Sequence, residues 1–245
     1  QIPEDLKKQA AKEKEIDPHA YELLMKAKYA YINANSASDL EIAAALFKQA
    51  FDIQPSYITA RNFYAVIQFR LNKTDEAINI LEEAENIGKK NKDDIGLSTI
   101  YDSFGIIYKQ MGNYSKAVSY LKEGLRIATV NEILSREANI LNTLGQCYTQ
   151  MTQFEEAIEY LKRSIHLKRQ LDRPSIEISN SLGNLADVHK RIGDYAKAIS
   201  LREESIEIAR KKSQVMLGRS ISSYANLLYY IGRTDEAHKQ YLEAS

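Results

Sequence analysis

The chain has little of what most folds use to turn or cross-link themselves. Its 245 residues include one Cys, no Trp, four Pro and ten Gly. A lone Cys cannot form an internal disulfide, so nothing calls for an oxidising compartment. So few Gly and Pro disfavour turn-rich all-β folds and Pro/Gly-rich disordered chains. Charge of one sign is missing too: 33 Lys and Arg balance 33 Asp and Glu. That balance argues against a nucleic-acid or anionic-membrane surface spread over the molecule. No apolar run approaches the roughly 20 residues needed to span a bilayer, and the charged start from Gln1 to Glu15 lacks a signal-peptide core. A soluble, mostly helical, cytoplasmic protein is expected. The first residue is not Met, and the chain reads as a piece of a longer product.

Local signatures of catalysis are missing as well. There is no G-x-G-x-x-G, G-x-x-x-x-G-K-[ST] or G-x-S-x-G motif. His19, His166, His189 and His238 lie far apart, with none at helical spacing to another His or to Cys147. No metal or cofactor is therefore expected. Carboxylate pairs such as Glu82/Glu83, Glu155/Glu156 and Glu203/Glu204 read as solvated helix surface. His189 and Cys147 read as packing residues. The sixteen Tyr mostly fall at recurring positions, which makes them core rather than a platform for bases. No enzyme is expected.

What the chain does have is a repeat. A small residue is followed twelve positions later by Ala in five pairs: Ala65/Ala77, Gly105/Ala117, Gly145/Ala157, Ala186/Ala198 and Ala225/Ala237. The first members lie 40, 40, 41 and 39 residues apart. One residue earlier stands Tyr64, Phe104, Leu144, Leu185 or Tyr224, and three later Gln68, Tyr108, Tyr148, His189 or Leu228. Four after the Ala stands Leu81, Leu121, Leu161, Arg202 or Tyr241. Spacings of three, four and seven place residues on one helical face, so each repeat holds two amphipathic helices. Small residues at fixed sites let the paired helices approach closely. Gly112-Asn113, Gly193-Asp194 and Gly232-Arg233-Thr234 supply a left-handed Gly and a capping residue between them.

This pattern resembles the tetratricopeptide repeat (TPR), most closely in "YDSFGIIYKQMGNYSKAVSYLKEGL" (101–125) and "LNTLGQCYTQMTQFEEAIEYLKRSI" (141–165). The usual TPR period is about 34 residues, so about six extra residues lengthen the helices, as in repeats of the LGN and kinesin-light-chain type. Where many TPRs carry Trp, this chain has Arg61, Tyr101, Leu141, Leu182 and Ile221. The resemblance implies an all-α, right-handed α-solenoid superhelix of about six helix-turn-helix repeats. Residues 1–17 would be a linker or short leading helix. The repeats would span about 18–55, 56–92, 93–131, 132–173, 174–212 and 213–245, the last one truncated and uncapped.

The first repeat is irregular. Ala27 is its small residue, an insertion at Asn33–Ser38 lengthens its turn, and Asp17-Pro18 and Asp39 are expected at helix starts. The stretch from Ala20 to Tyr57 also resembles the segment opening the TPR region of bacterial multidomain signalling proteins, where it follows a cyclase, a winged-helix domain or a kinase. Gln54 departs from the Asp usual there.

In TPR proteins the first helices line a concave groove. Positions six and three before the small residue, and one and four after it, point inward. On that basis Asn62, Phe69, Asp102, Lys109, Asn139, Asn142, Gln146, Asn180, Asp187, Lys190, Arg219, Asn226 and Tyr229 are the candidate peptide-binding residues, with Arg191 added beside Lys190 at the basic end of the groove. Carboxamides donate to and accept from a peptide backbone, which suits capture of an extended chain. The Lys and Asn pair of chaperone-tail clamps is absent from every window. Residues 161–220 hold 13 Lys and Arg against 7 Asp and Glu. Lys190, Arg191 and Arg219 would sit together there with Tyr229 and Tyr230, favouring an acidic or aromatic-bearing peptide; a solvated helix face is the alternative. The resemblance implies a non-catalytic protein- or peptide-binding module of a larger signalling protein. The alternatives are a peptide-sensing regulator of the Rap and PlcR type and a scaffold that self-associates through uncapped ends.

Overall fold

A computed structural model of the chain describes residues 17–171, 175–210 and 214–244. Residues 1–16, including the expected linker, lie outside the described residues. The described residues form twelve α-helices and no strand. They divide into two compact units, Gln1–Arg136 and Glu137–Ser245.

The first unit holds α1 (Pro18–Ile32), α2 (Ala37–Ile53), α3 (Ile58–Arg70), α4 (Thr74–Lys90), α5 (Asp94–Gln110) and α6 (Tyr114–Val130). They pack as the hairpins α1/α2, α3/α4 and α5/α6, each stacked on the next. The second unit takes α7 (Leu134–Gln150) from Glu137 onward, then α8 (Phe154–Gln170), α9 (Ser175–Arg191), α10 (Tyr195–Arg210), α11 (Gln214–Tyr230) and α12 (Thr234–Ala244). Here α9/α10 and α11/α12 are hairpins. Helices α5 to α8 all run 17 residues and start 20 residues apart. The added length of a 40-residue repeat thus lies in the helices, with turns of three residues.

Those turns repeat one hydrogen-bond scheme. The N–H of Lys73, Asp93, Asn113, Ile133, Gln153, Asp194 or Arg233 donates to the carbonyl five residues earlier, at 2.8–3.0 Å. This is the Schellman closure of a helix, and it needs a left-handed residue just before the donor. Gly fills that place at Gly112, Gly193 and Gly232, whereas Asn72, Lys92, Glu132 and Thr152 adopt it with side chains. Thr152, at φ 59°, is the most strained choice, being β-branched. Asn113 and Asp194 then cap α6 and α10 by accepting from Lys116 N and Lys197 N.

Within each hairpin the small residue does what its spacing implies. A Cβ added at Gly105 would stand 2.3 Å from Leu121 Cγ, and one at Gly145 would stand 2.5 Å from Leu161 Cγ. The helices touch there, and the flanking rings fill the space beside them. Tyr120 stacks on Phe104 at 4.5 Å and on Tyr108 at 5.6 Å, and Tyr148 stacks on Tyr160 at 5.2 Å. Phe104, Leu121, Leu144 and Leu161 are fully buried. Each such Leu or Phe contributes about 1.5–3 kcal/mol of transfer free energy.

The first hairpin departs in two details. Its turn is Asn33–Ser36, and Ser36 rather than Asp39 is the cap of α2. Ser36 Oγ accepts from Asp39 N while the Asp39 carboxylate accepts from Ser36 N, a capping box. Asp17 caps α1 as expected, accepting from His19 N and Ala20 N. Gln54 accepts from Asp17 N at 2.7 Å, tying the end of α2 to the start of α1.

Candidate functional site

The candidate positions fall into three structural classes. At the position three before the small residue, Asp102 and Asn142 join neighbouring first helices. Asn62 and Asp102 are buried, and Arg136 donates to Asp102 at 3.3 Å. Asn142 Oδ1 accepts from Ser181 Oγ at 2.9 Å and Asn184 Nδ2 at 3.0 Å, both on α9. Ser181 also takes a hydrogen bond from the buried Lys168 at 3.0 Å. Asn142 therefore ties α7 to α9, and its carbonyl oxygen already has two donors.

Exposed polar groups form the second class. Asn139 and Asn180, one turn earlier on α7 and α9, are exposed, as is Arg219 on α11. Gln146, Phe69 and Lys109 are half-buried. The third class is the basic stretch, which the structure splits. Arg191 turns back to α7, donating to Thr149 O at 2.5 Å and Gln150 Oε1 at 3.3 Å, where a cation suits the helix C-terminus. Lys190 turns to the other side, its Nζ 4.4 Å over the ring of Tyr230, with Tyr229 exposed alongside.

Beside Lys190 lies a cleft of about 190 Å³ between α9 and α11. Asp187 and Asn226, both expected, line it with Lys190. Arg202 and Ser223 line it as well and were not expected. Arg202 comes from the second helix, α10, and donates to Asp187 at 2.6 Å. Asn226 Oδ1 accepts from Tyr241 Oη at 2.8 Å, again from the second helix of its hairpin. A signal for both was visible: Arg202 and Tyr241 stand where the preceding repeats have Leu81, Leu121 and Leu161. Arg219 does not line the cleft.

His189 packs as expected of a core residue, with Nδ1 3.0 Å from Asp194 Oδ2. Cys147 is fully buried. Burial and the Glu76 and Glu203 carboxylates push the Tyr64 and Tyr224 hydroxyls up to about 12. Both hydroxyls donate to those carboxylates, at 2.7 and 3.0 Å. Among the described residues, no group of three or more His, Cys, Asp and Glu side chains is placed to hold a metal, and no helix is long and apolar enough to cross a membrane.

No curated protein sequence matches the chain significantly. Among solved structures, BtubC (BKLC) from P. vanneervenii is similar with a TM-score of 0.71 at 16% identity, covering 93% of this chain and 90% of that one. PilW, a type IV pilus biogenesis factor, gives 0.70 at 17% identity over 91% of each chain. The TPR-like repeats of a putative kinesin light chain from Podosopora anserina give 0.64 at 20% identity, over 78% of this chain and 94% of that one. At these identities the likeness is one of fold. Family models described as tetratricopeptide repeat match residues 56–129, 177–245 and 138–171. With the helical hairpins, their Gly and Leu contacts and their Schellman turns, these matches show that the chain belongs to the tetratricopeptide repeat family, a family of protein-interaction modules.

Proposed function

We propose that the chain is a non-catalytic module that captures an extended segment of a partner protein along the first-helix faces of its repeats. It would serve as the interaction or regulatory region of a larger bacterial signalling protein in the cytoplasm, and the partner segment would be acidic. The observation that carries this reading is the division of labour on α7, α9 and α11. Asn142 and Arg191 are committed to holding helices together, while Asn139, Asn180, Lys190 and Tyr229 keep polar or aromatic surface turned to solvent. Carboxamides of that kind match the donors and acceptors of an extended backbone.

The test is selection of peptides from a random display library on the full chain, followed by binding measurements with Asn139→Ala and Asn180→Ala. Selected peptides enriched in Asp and Glu, with about fivefold or greater weakening in the double variant, are expected, since each lost hydrogen bond contributes about 0.5–1.5 kcal/mol. Failure to enrich any peptide would sink the reading.

A second reading, self-association, is favoured by exposed apolar side chains on the first and last helices. Tyr29 and Ile32 on α1 are 74% and 79% exposed, and Leu242 on α12 is 65% exposed. Light scattering over a concentration series decides it, because a strict monomer excludes a scaffold of this kind.

A further inference from the structure

The cleft between α9 and α11 holds a residue that its repeat position does not call for. In the α5/α6 and α7/α8 hairpins, the fourth residue after the second-helix Ala is a fully buried Leu under a Gly, Leu121 under Gly105 and Leu161 under Gly145. In α9/α10 that residue is Arg202, whose side chain is 13% exposed. Placing a guanidinium at a site built for Leu gives up apolar burial and requires desolvating a charge. The chain accommodates it with a second departure. Gly183 stands where other repeats have Asn62, Asp102 and Asn142, and a Cβ there would come within 3.0 Å of Arg202 Nη1. The missing side chain opens the path by which the guanidinium reaches the first-helix face.

What it reaches is a surface rich in donors. Lys190, Arg202, Ser223 and Asn226 present donor groups, and the Asn226 oxygen is held by Tyr241, which leaves its amide N–H₂ for a ligand. The single carboxylate, Asp187, is 54% exposed and occupies only part of a fork with five N–H donors. Two cations against one carboxylate leave the cleft net positive. Its volume of about 190 Å³ is smaller than the roughly 300–1,000 Å³ of cofactor-sized pockets, so it takes one side chain or chain end.

The geometry points to a carboxylate-binding subsite in this cleft, anchored by Arg202, that receives an acidic side chain or the C-terminal carboxylate of the partner segment. It rests on the peptide-capture reading above and gives that reading its chemistry. Arg202 offers a planar fork to the ligand while Asp187 fixes its orientation from the other edge. Lys190, steered by the Tyr230 ring, adds the second charge.

The experiment is a nuclear magnetic resonance titration of the full chain, following the Arg202 Nε–H and Asn226 side-chain amide signals. The probes are N-acetylglutamate N-methylamide, its glutamine counterpart, N-acetylglycine and inorganic phosphate. Saturable shifts with the glutamate probe or N-acetylglycine are expected, the tighter of the two naming a side-chain or a chain-end carboxylate. The glutamine probe should give none. Arg202→Leu, which restores the residue of the preceding repeats, should weaken the response about ten- to a hundredfold while the melting temperature stays level or rises. Arg202→Lys keeps the charge without the fork and should fall between them. Equal shifts with the glutamine probe, binding of phosphate alone, or an undiminished response in both Arg202 variants would overturn the assignment. If selected peptides bind while no carboxylate probe does, the subsite fails and the peptide-capture reading stands. If neither binds, both fail.

Discussion

Two hairpins of one repeat family solve the same packing position differently. In α7/α8, Gly145 and a fully buried Leu161 bring two helices into contact. In α9/α10, the Leu position holds Arg202, and it bonds outward to Asp187, fifteen residues earlier on the first helix. Tyr241 makes the same fifteen-residue reach to Asn226 in α11/α12. The copies of a repeat serve as controls for one another: positions that agree across them report the fold, and the proposed subsite rests on Arg202 standing where the preceding repeats have Leu81, Leu121 and Leu161.

The largest effects should separate the two hairpins by stability. Leu144→Ala leaves a cavity in a fully buried site and should cost about 2–5 kcal/mol in denaturant unfolding. Gly145→Ala forces a Cβ into Leu161 and Gly145 lies on a tightly packed helix contact, so a loss of about 1–3 kcal/mol is expected. Gly183→Ala meets only the tip of a flexible Arg202 side chain and should cost under about 1 kcal/mol. Equal losses for the two Gly substitutions would erase the contrast on which the comparison rests.

Asn142→Ala and Asn180→Ala should differ in the same way. Asn142 holds Ser181 and Asn184, so its loss should cost about 1–3 kcal/mol by removing the acceptor of Asn184 Nδ2, while Ser181 Oγ keeps the Glu177 carbonyl. Asn180 is exposed, and its substitution should stay within about 0.5 kcal/mol. Thermal melts of the two variants check this. In the turns, Thr152→Gly should stabilise by up to about 1 kcal/mol, because Gly112 and Gly193 take the same left-handed conformation without a Cβ.

Alkaline titration tests both units at once. Tyr64 and Tyr224 have folded values near 12 against 10.0 for the free side chain. Below pH 10 both are protonated in folded and unfolded states, and their contribution is fully present. Between about pH 10 and 12 the unfolded chain ionises first, so stability falls as pH rises. Tyr224→Phe should flatten that loss in urea midpoints measured across the window.

Most of the architecture was legible because it rests on types that recur about every 40 residues, Gly105 and Gly145 against Leu121 and Leu161 with Ala117 and Ala157 opposite, and on Gly112, Gly193 and Gly232 in three of the turns. The cap of α2 was misplaced by three residues, since Ser36 and Asp39 are both good caps and only the backbone says which one precedes the helix. The site was less legible. Helical spacing tells which residues share a face, and Asp187, Lys190 and Asn226, read from it as groove residues, line one cleft. It could not tell that Asn142 would spend its oxygen on the next helix, or that Arg191 would turn back to Thr149. Those outcomes depend on pairings 39 to 42 residues apart. Arg202 was visible as an exception to its column, whereas its approach past Gly183 is seen only in three dimensions.

The most direct test is calorimetric titration of one display-selected acidic peptide into the wild-type chain and Arg202→Leu. The account predicts binding about ten- to a hundredfold weaker in a variant that melts at or above the wild-type temperature. Unchanged affinity in a variant that folds equally well would contradict it.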